Sequence, residues 1–346
     1  MSKLTEDPRI DPRIKTVFGA FDLPPEEPAA NREELLARED TDEAKAIRER
    51  TLAFMNTCNT EEVAPSTGLS TTTKTFTSDP DGNSINIQYI RPDNGQTLPC
   101  IYYIHGGGMM YCSCYDGNYT AWGRILAAHG LAVAMVDFRN CLTPSSTPEV
   151  EPFPAGLNDC VSGLKWVAAN SAELGIDPGQ IIIAGESGGG NLTLATGLKL
   201  KQDGDIGLIQ GLYALCPYIA GIWPLDENPS SIENNGISLD LHSPNYPMAY
   251  GIEALEARNP LAWPGFATEE DVKGLPPVMI SVNECDPLRD EGINFYRKLM
   301  RAGVPAVCRQ VMGTVHGTEF FPIACPEITA ETARSVTDFC KGITRP

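Results

Sequence analysis

Residues 185–191 read GESGGGN and directly follow the apolar run 181–184. Glycine weakens strands and helices alike, so four of them around one serine mark backbone that turns sharply or lies against something else. A phosphate loop needs G-x-x-x-x-G-K-[ST], and no lysine follows Gly190 until Lys199, which argues against it. What remains is G-x-S-x-G, spelled by Gly185, Glu186, Ser187, Gly188 and Gly189 between an expected strand and an expected helix. At such an elbow a serine side chain stands above the sheet and the free N–H groups of the helix point towards it. A five-residue pattern can also be no more than a turn.

A serine hydroxyl is a weak nucleophile and needs a base, an acid to orient that base, and donors for the oxyanion. The chain has four histidines. His105 opens HGGG, His129 sits at an expected helix end, and His242 lies in a long irregular interval. His316, in GTVHGTEFF after the last expected strand, is the candidate base. Asp286, in NECDPLRDEG at the end of the expected strand 278–282, is the candidate acid. The same aspartate before Pro-Leu also reads as a helix cap, and Glu284 is a weaker rival for the role. Asp290 and Glu291, a turn further on, read as structural. The glycines of HGGG let backbone approach a substrate, so N–H groups of Gly107 and Gly108 can join that of Gly188 around a developing charge.

These residues need a scaffold that brings them to one edge. The segments 73–77 and 85–90 alternate apolar and polar residues around DPDGN, which predicts a hairpin. Six short apolar runs follow, at 100–104, 131–138, 181–184, 209–215, 278–282 and 306–312, most of them separated by helical segments such as 157–169 and 192–200. That alternation predicts a mostly parallel sheet covered on both faces, with its site at the carboxyl ends of the strands. Between the strands near 215 and 278 the chain is rich in Pro, Asn and Ser, too long an interval for a bare loop, and it predicts an inserted subdomain or lid. Residues 31–56 carry apolar side chains at helical spacing and predict one or two amphipathic helices, led in by Pro24, Pro25 and Pro28. The tandem DPRIDPRI at 7–14 is too brief to be an architectural repeat.

With 346 residues, 42% hydrophobic and 21% charged, the composition is that of a soluble globular protein with a sizeable core. The net charge of −19 repels phosphate backbones and anionic lipid, so nucleic acid and membranes are not expected partners. No apolar run reaches the length of a membrane span, and the polar start MSKLTEDPRI does not read as a signal peptide. Eleven scattered cysteines then point to reduced thiols and a cytoplasmic location. Cys112 and Cys114 lack a second ligand pair, so no zinc site is expected.

The motifs HGGG, GESGGGN, DPLRDEG and VHG, in this order, resemble the hormone-sensitive-lipase branch of the α/β-hydrolases, and VDFRN, GESGGGNL, NPLAWPGFA and NECDPLRDEG resemble its brefeldin A esterase type especially. The resemblance implies an α/β-hydrolase fold: an eight-stranded, mostly parallel sheet flanked by helices, with a helical cap. It divides the chain into N-terminal cap helices (1–70), a catalytic core (71–216 and 263–346) and an inserted part of the cap (217–262). It implies ester hydrolysis through an acyl-enzyme by Ser187, Asp286 and His316, with an oxyanion hole from Gly107, Gly108 and Gly188 and with His105 as structural support. It calls for no metal or cofactor; the partners are a small-molecule ester and water. Met109 and Met110, Tyr218 and Trp223, and Phe320 and Phe321 are candidates for an apolar pocket, with Met109 and Tyr218 put forward as substrate-binding residues. Substrates range from short- and medium-chain esters to bulky esters and lactones. A ligand-binding protein on the same fold and an amidase are the rival readings. The resemblance also raises a homodimer, which no residue pattern establishes. The chain departs from the D-Y-R-L-A-P-E and G-D-S-A-G-G stretches of many relatives, having DFRNCLTPSSTPE and GESGGGN instead.

Overall fold

The computed structural model describes residues 2–19 and 27–342, so Pro24 and Pro25 of the expected lead-in lie outside the described residues. Eight strands form one sheet: β1 (Leu69–Thr77), β2 (Ser84–Pro92), β3 (Leu98–Ile104), β4 (Ala132–Val136), β5 (Ile176–Glu186), β6 (Gly211–Leu215), β7 (Val278–Asn283) and β8 (Ala306–Val311). Their order is β1-β2-β4-β3-β5-β6-β7-β8; β2 runs antiparallel to both β1 and β4, and every later pairing is parallel. The central strands are buried along their length, as continuous apolar runs require when helices cover both faces. One apolar cluster forms against each face of the sheet: Ile181, Ile183 and Leu212 belong to the first, Ile182, Ala184 and Tyr213 to the second. Successive residues of one strand thus serve opposite faces, as the strand period demands.

Helices Gly117–Ala128, Ala155–Ala169, Gly188–Asp203, Arg289–Arg301 and Pro326–Gly342 fill the crossovers and the end of the chain. Four of the parallel strands, β3, β5, β6 and β7, are each followed by a loop at one edge of the sheet, and those loops carry HGGG, Ser187, Cys216 to Tyr218, and Asp286. The segment after β8 brings His316 to the same edge.

The N-terminal segment 31–56 forms two helices, Arg32–Glu39 and Asp42–Asn56, each opened by a side-chain cap, Asn31 on the N–H of Glu34 and Thr41 on that of Ala44. DPRIDPRI proves to be a docking arm. In each repeat the aspartate accepts from the backbone N–H of the arginine two residues on, Asp7 from Arg9 at 2.9 Å and Asp11 from Arg13 at 2.8 Å, and pairs with its guanidinium. That local turn aims Ile10 and Ile14 inward, where they pack with Cys285, Val315 and Cys325 beneath the loops of Asp286 and His316. The 60-residue interval holds a helix at Asn245–Glu256 and shorter turns around it. All eleven cysteines are unpaired. Among the described residues no helix is long and apolar enough to cross a membrane.

Candidate active site

Ser187 stands between β5 and the helix Gly188–Asp203 with φ 55 and ψ −120, a conformation that L side chains rarely adopt. Its N–H donates to Leu215 O at 3.0 Å, and its carbonyl accepts from Tyr218 at 3.1 Å and Asn191 at 3.0 Å. The elbow is thereby pinned to the end of β6. The flanking glycines are needed because other backbone fills the space of a side chain. A Cβ on Gly185 would come 2.5 Å from Gly189 O and 2.6 Å from Ile104 O. A Cβ on Gly189 would come 2.5 Å from His105 O and closer still to Ile104 O. The GESGGGN cluster is therefore the price of seating a helix start directly against the end of β3.

His316 Nδ1 lies 2.7 Å from Asp286 Oδ2. The other carboxylate oxygen of Asp286 accepts from Leu288 N at 2.9 Å, so the aspartate both makes the turn expected before Pro-Leu and faces the imidazole. Asp286 is fully buried. Burial disfavours the imidazolium of His316, yet the charge and hydrogen bond of Asp286, together with the adjacent Cys216, outweigh it, and the pKa is held well above the ordinary 6.5. The loops carrying the two residues are stitched together: Cys285 N donates to Thr314 O at 2.9 Å, and Asn283 Nδ2 donates to Thr314 Oγ1 at 2.8 Å and to Glu319 Oε1 at 3.0 Å. Glu284 spends its carboxylate on Gly313 N at 2.8 Å, and Asp290 pairs with Arg289. Glu291 is buried and accepts from Ile219 N at 2.6 Å, Ala220 N at 3.1 Å and Trp223 Nε1 at 2.7 Å, and burial pushes its pKa up to about 8. It braces the root of the insertion.

Ser187 and His316 open into one cavity of about 290 Å³, whose walls include Gly107, Gly108, Met110, Tyr218 and Phe321. Gly107 and Gly108 have φ 88 and 64, and a Cβ on Gly188 would lie 2.8 Å from Gly108 N, so the three glycines meet beside the serine. Among the described residues no acceptor takes the N–H of Gly107 or Gly108. The loop after Arg139, where the sequence departs from many relatives, props this turn from behind: Cys141 N donates to Met109 O at 2.9 Å and Thr143 N to Met110 O at 3.0 Å. His105 is buried, stacks on Phe138 at 4.3 Å between ring centroids and shares Nδ1 with Gly106 O at 3.0 Å, a supporting position. His129 ends a helix and His242 bonds Ser231 O, both away from the cavity.

Two expectations about the walls part company. Tyr218 lines the cavity, backed by Trp223, whose ring stacks on it at 4.6 Å. Met109 does not: it is buried with φ 62, packed into the core, and its neighbour Met110 faces the cavity instead. The left-handed turn at Met109 reverses which of the two methionines points inward. The cavity wall also takes Met55 from the N-terminal helices and Leu239, Leu241 and Tyr246 from the insertion.

Sequence reasoning passed over two groups. Cys216, at the end of β6 with φ 33, puts its thiol among Asp286 and His316, and one donor atom from each of the three lies within 4.8 Å of the others. Burial pushes the thiol up to about 11 and keeps it uncharged. Glu186, passed over as the variable position of G-x-S-x-G, faces the HGGG loop with a buried carboxylate. Tertiary position alone distinguishes either residue.

The sequence matches the family described as alpha/beta hydrolase fold over residues 101–320. Carboxylesterase NlhH of Mycobacterium tuberculosis is 30% identical over 251 residues, 72% of this chain and 75% of the relative. An arylesterase of Saccharolobus solfataricus is 32% identical over 259 residues, 72% of this chain and 77% of its own. Among solved structures, esterase Est22 superposes with a TM-score of 0.96 at 65% identity in a form with p-nitrophenol, covering 98% of this chain and 100% of that one. Brefeldin A esterase, a bacterial homologue of human hormone-sensitive lipase, superposes with a TM-score of 0.87 at 35% identity, covering 97% and 94%.

Proposed function

The chain belongs to the α/β-hydrolase family, in the branch of hormone-sensitive lipase, and hydrolyses ester bonds; from that premise we propose that it is a serine carboxylesterase working through an acyl-enzyme. The observation that carries the reading is the convergence of Ser187 and His316 on one cavity, with Asp286 holding His316 Nδ1 at 2.7 Å. An ionised carboxylate only accepts, so it fixes the proton on Nδ1 and leaves the Nε2 lone pair for the serine hydroxyl.

Ser187 attacks the ester carbonyl while His316 takes its proton. The carbonyl oxygen becomes an oxyanion facing the N–H groups of Gly107, Gly108 and Gly188. His316, now imidazolium beside Asp286, gives the proton to the leaving alkoxide, and the alcohol departs. Water then repeats the sequence on the acyl-enzyme: His316 takes a proton from water, hydroxide adds to the acyl carbon, and collapse returns the proton to Ser187 and releases the acid.

We assign 1–70 and 217–262 to a cap over the core, since Met55, Leu239, Leu241 and Tyr246 from those segments wall the cavity. At about 290 Å³ the cavity sits near the lower end of ligand pockets, roughly 300–1,000 Å³, which favours short and medium acyl chains. Similarity to a p-nitrophenol complex of Est22 and to brefeldin A esterase brings aryl esters and lactones into the set to be tested. The free thiols support a cytoplasmic site of action.

The test is hydrolysis of nitrophenyl esters from acetyl to palmitoyl, and of one macrolactone, by wild type and Ser187→Ala. Activity falling off beyond medium chains and reduced by several orders of magnitude in the variant is expected, as for comparable triad losses of about 10⁶. Ordinary turnover by Ser187→Ala overturns the mechanism. Ester binding without turnover in wild type points to a ligand-binding protein.

A further inference from the structure

Glu186 lies directly before Ser187 in the chain, and its carboxylate turns away from solvent towards the end of β3. Its Oε1 accepts from Gly106 N at 2.6 Å and from Tyr119 OH at 2.6 Å, and its Oε2 accepts from Tyr103 OH. The hydroxyl of Tyr119 also lies 3.2 Å from Gly106 N. A Cβ on Gly106 would collide with Glu186 Oε1, so the first glycine of HGGG exists to admit this carboxylate. The three glycines of the loop therefore divide their work: Gly106 gives its N–H to Glu186, and only Gly107 and Gly108 remain to face the cavity.

All three partners are donors, and a carboxylate can accept from every one. The residue is almost wholly buried, no cation is hydrogen-bonded to it among the described residues, and burial pushes its pKa up to about 7. A buried carboxylate without a cationic partner is costly. Its position explains why one is kept there. The oxyanion donors and the nucleophile come from different strands, β3 and β5, and must agree in position to a fraction of an ångström. A side chain on the residue next to the nucleophile, bonded to the residue next to the donors, sets that distance directly.

We infer that Glu186 is a positioning residue for the oxyanion hole, tying the HGGG turn to the nucleophile elbow through Gly106, Tyr103 and Tyr119. The inference rests on the serine reading of the site. In Glu186→Gln the shape is kept, but the charge is lost and the amide nitrogen can only donate, so the tyrosine facing it must turn its hydroxyl from donor to acceptor and charge-assisted bonds become weaker neutral ones. Tyr119→Phe removes one hydroxyl while leaving the ring in place.

The experiment measures kcat and KM on nitrophenyl butyrate for wild type, Glu186→Gln and Tyr119→Phe, together with the affinity of a boronic acid that forms a tetrahedral adduct and the rate of fluorophosphonate labelling of Ser187. Expected are a kcat lowered about 10²-fold in Glu186→Gln and by a smaller factor in Tyr119→Phe, a KM within about threefold of wild type, and boronate affinity falling in step with kcat. Wild-type kcat and boronate affinity in Glu186→Gln overturn the inference, as does a change carried by KM alone. Should Glu186→Gln fail to fold, Tyr119→Phe decides on the same criteria. Absence of labelling at Ser187 in wild type would instead overturn the serine reading itself, which separates the two failures.

Discussion

The tight seat of the nucleophile helix makes Gly189→Ala a severe test of the site's geometry. Its Cβ would lie 2.5 Å from His105 O and nearer still to Ile104 O, whereas real Cβ atoms essentially never come within 3.0 Å of such atoms. Both obstacles are backbone at the end of a central strand and cannot swing aside. The start of the helix Gly188–Asp203 must retreat from β3 by about 1 Å, and a misplacement of that size costs about 10² in rate. That factor corresponds to about 2.7 kcal/mol of lost transition-state stabilisation. Overpacking of this kind also destabilises by about 1–3 kcal/mol, which a protein of this size can survive. Gly190→Ala is the milder neighbour, with nearest contacts of 2.9 Å to Leu215 O and 3.0 Å to Pro217 Cα, and should lose less than about tenfold. Gly207→Ala, whose Cβ meets no atom within 4 Å, is the control. Steady-state kinetics on a short acyl ester, with folding checked by circular dichroism and a melting curve, gives the series. A folded Gly189→Ala enzyme with wild-type kcat/KM would refute the claim that β3 and the elbow must touch.

Two further outcomes follow from the buried acids and the imidazole. Because Asp286 holds the pKa of His316 above 6.5 and the base must be neutral to act, the acid limb of kcat/KM should lie above pH 6.5; in Asp286→Asn it should move down while kcat falls about 10³–10⁴-fold, and an unmoved limb would deny the pairing. Glu186 and Glu291 have folded pKa values of about 7 and about 8, above the ordinary 4.5, so between those limits the native state holds protons that the unfolded state has released. Stability therefore falls as pH rises through that window, by about 1.4 kcal/mol per pH unit for each fully linked proton. Denaturant midpoints at pH 5.5 and 7 should show the decline in wild type and a smaller one in Glu291→Gln; equal slopes would refute it.

All eight strands could be read: the central ones because burial on both faces leaves a continuous apolar run, and β1 and β2 from alternation around the DPDGN turn. Ser187, Asp286 and His316 could be singled out because a glycine elbow, an Asp-Pro turn and a scarcity of histidines are local features too. Their relation in space was not local. Cys216 and Glu186 carry no motif of their own, and only the folded sheet sets one beside His316 and the other beneath Gly106. Met109 and Met110 are indistinguishable as neighbours in a sequence, and a left-handed backbone turn decides between them. DPRIDPRI could not be read as a docking arm because its partners lie at the other end of the chain.

That arm has a consequence for how the protein is made. Ile10 and Ile14 leave the ribosome long before Cys285, Val315 and Cys325, against which they pack. The central sheet can gather as its strands emerge, whereas this contact must wait for residues about 300 positions further on and closes a very long loop. The seat beneath Asp286 and His316 is thus finished late, and until Cys285, Val315 and Cys325 emerge the two isoleucines lack three of the buried partners that cover them.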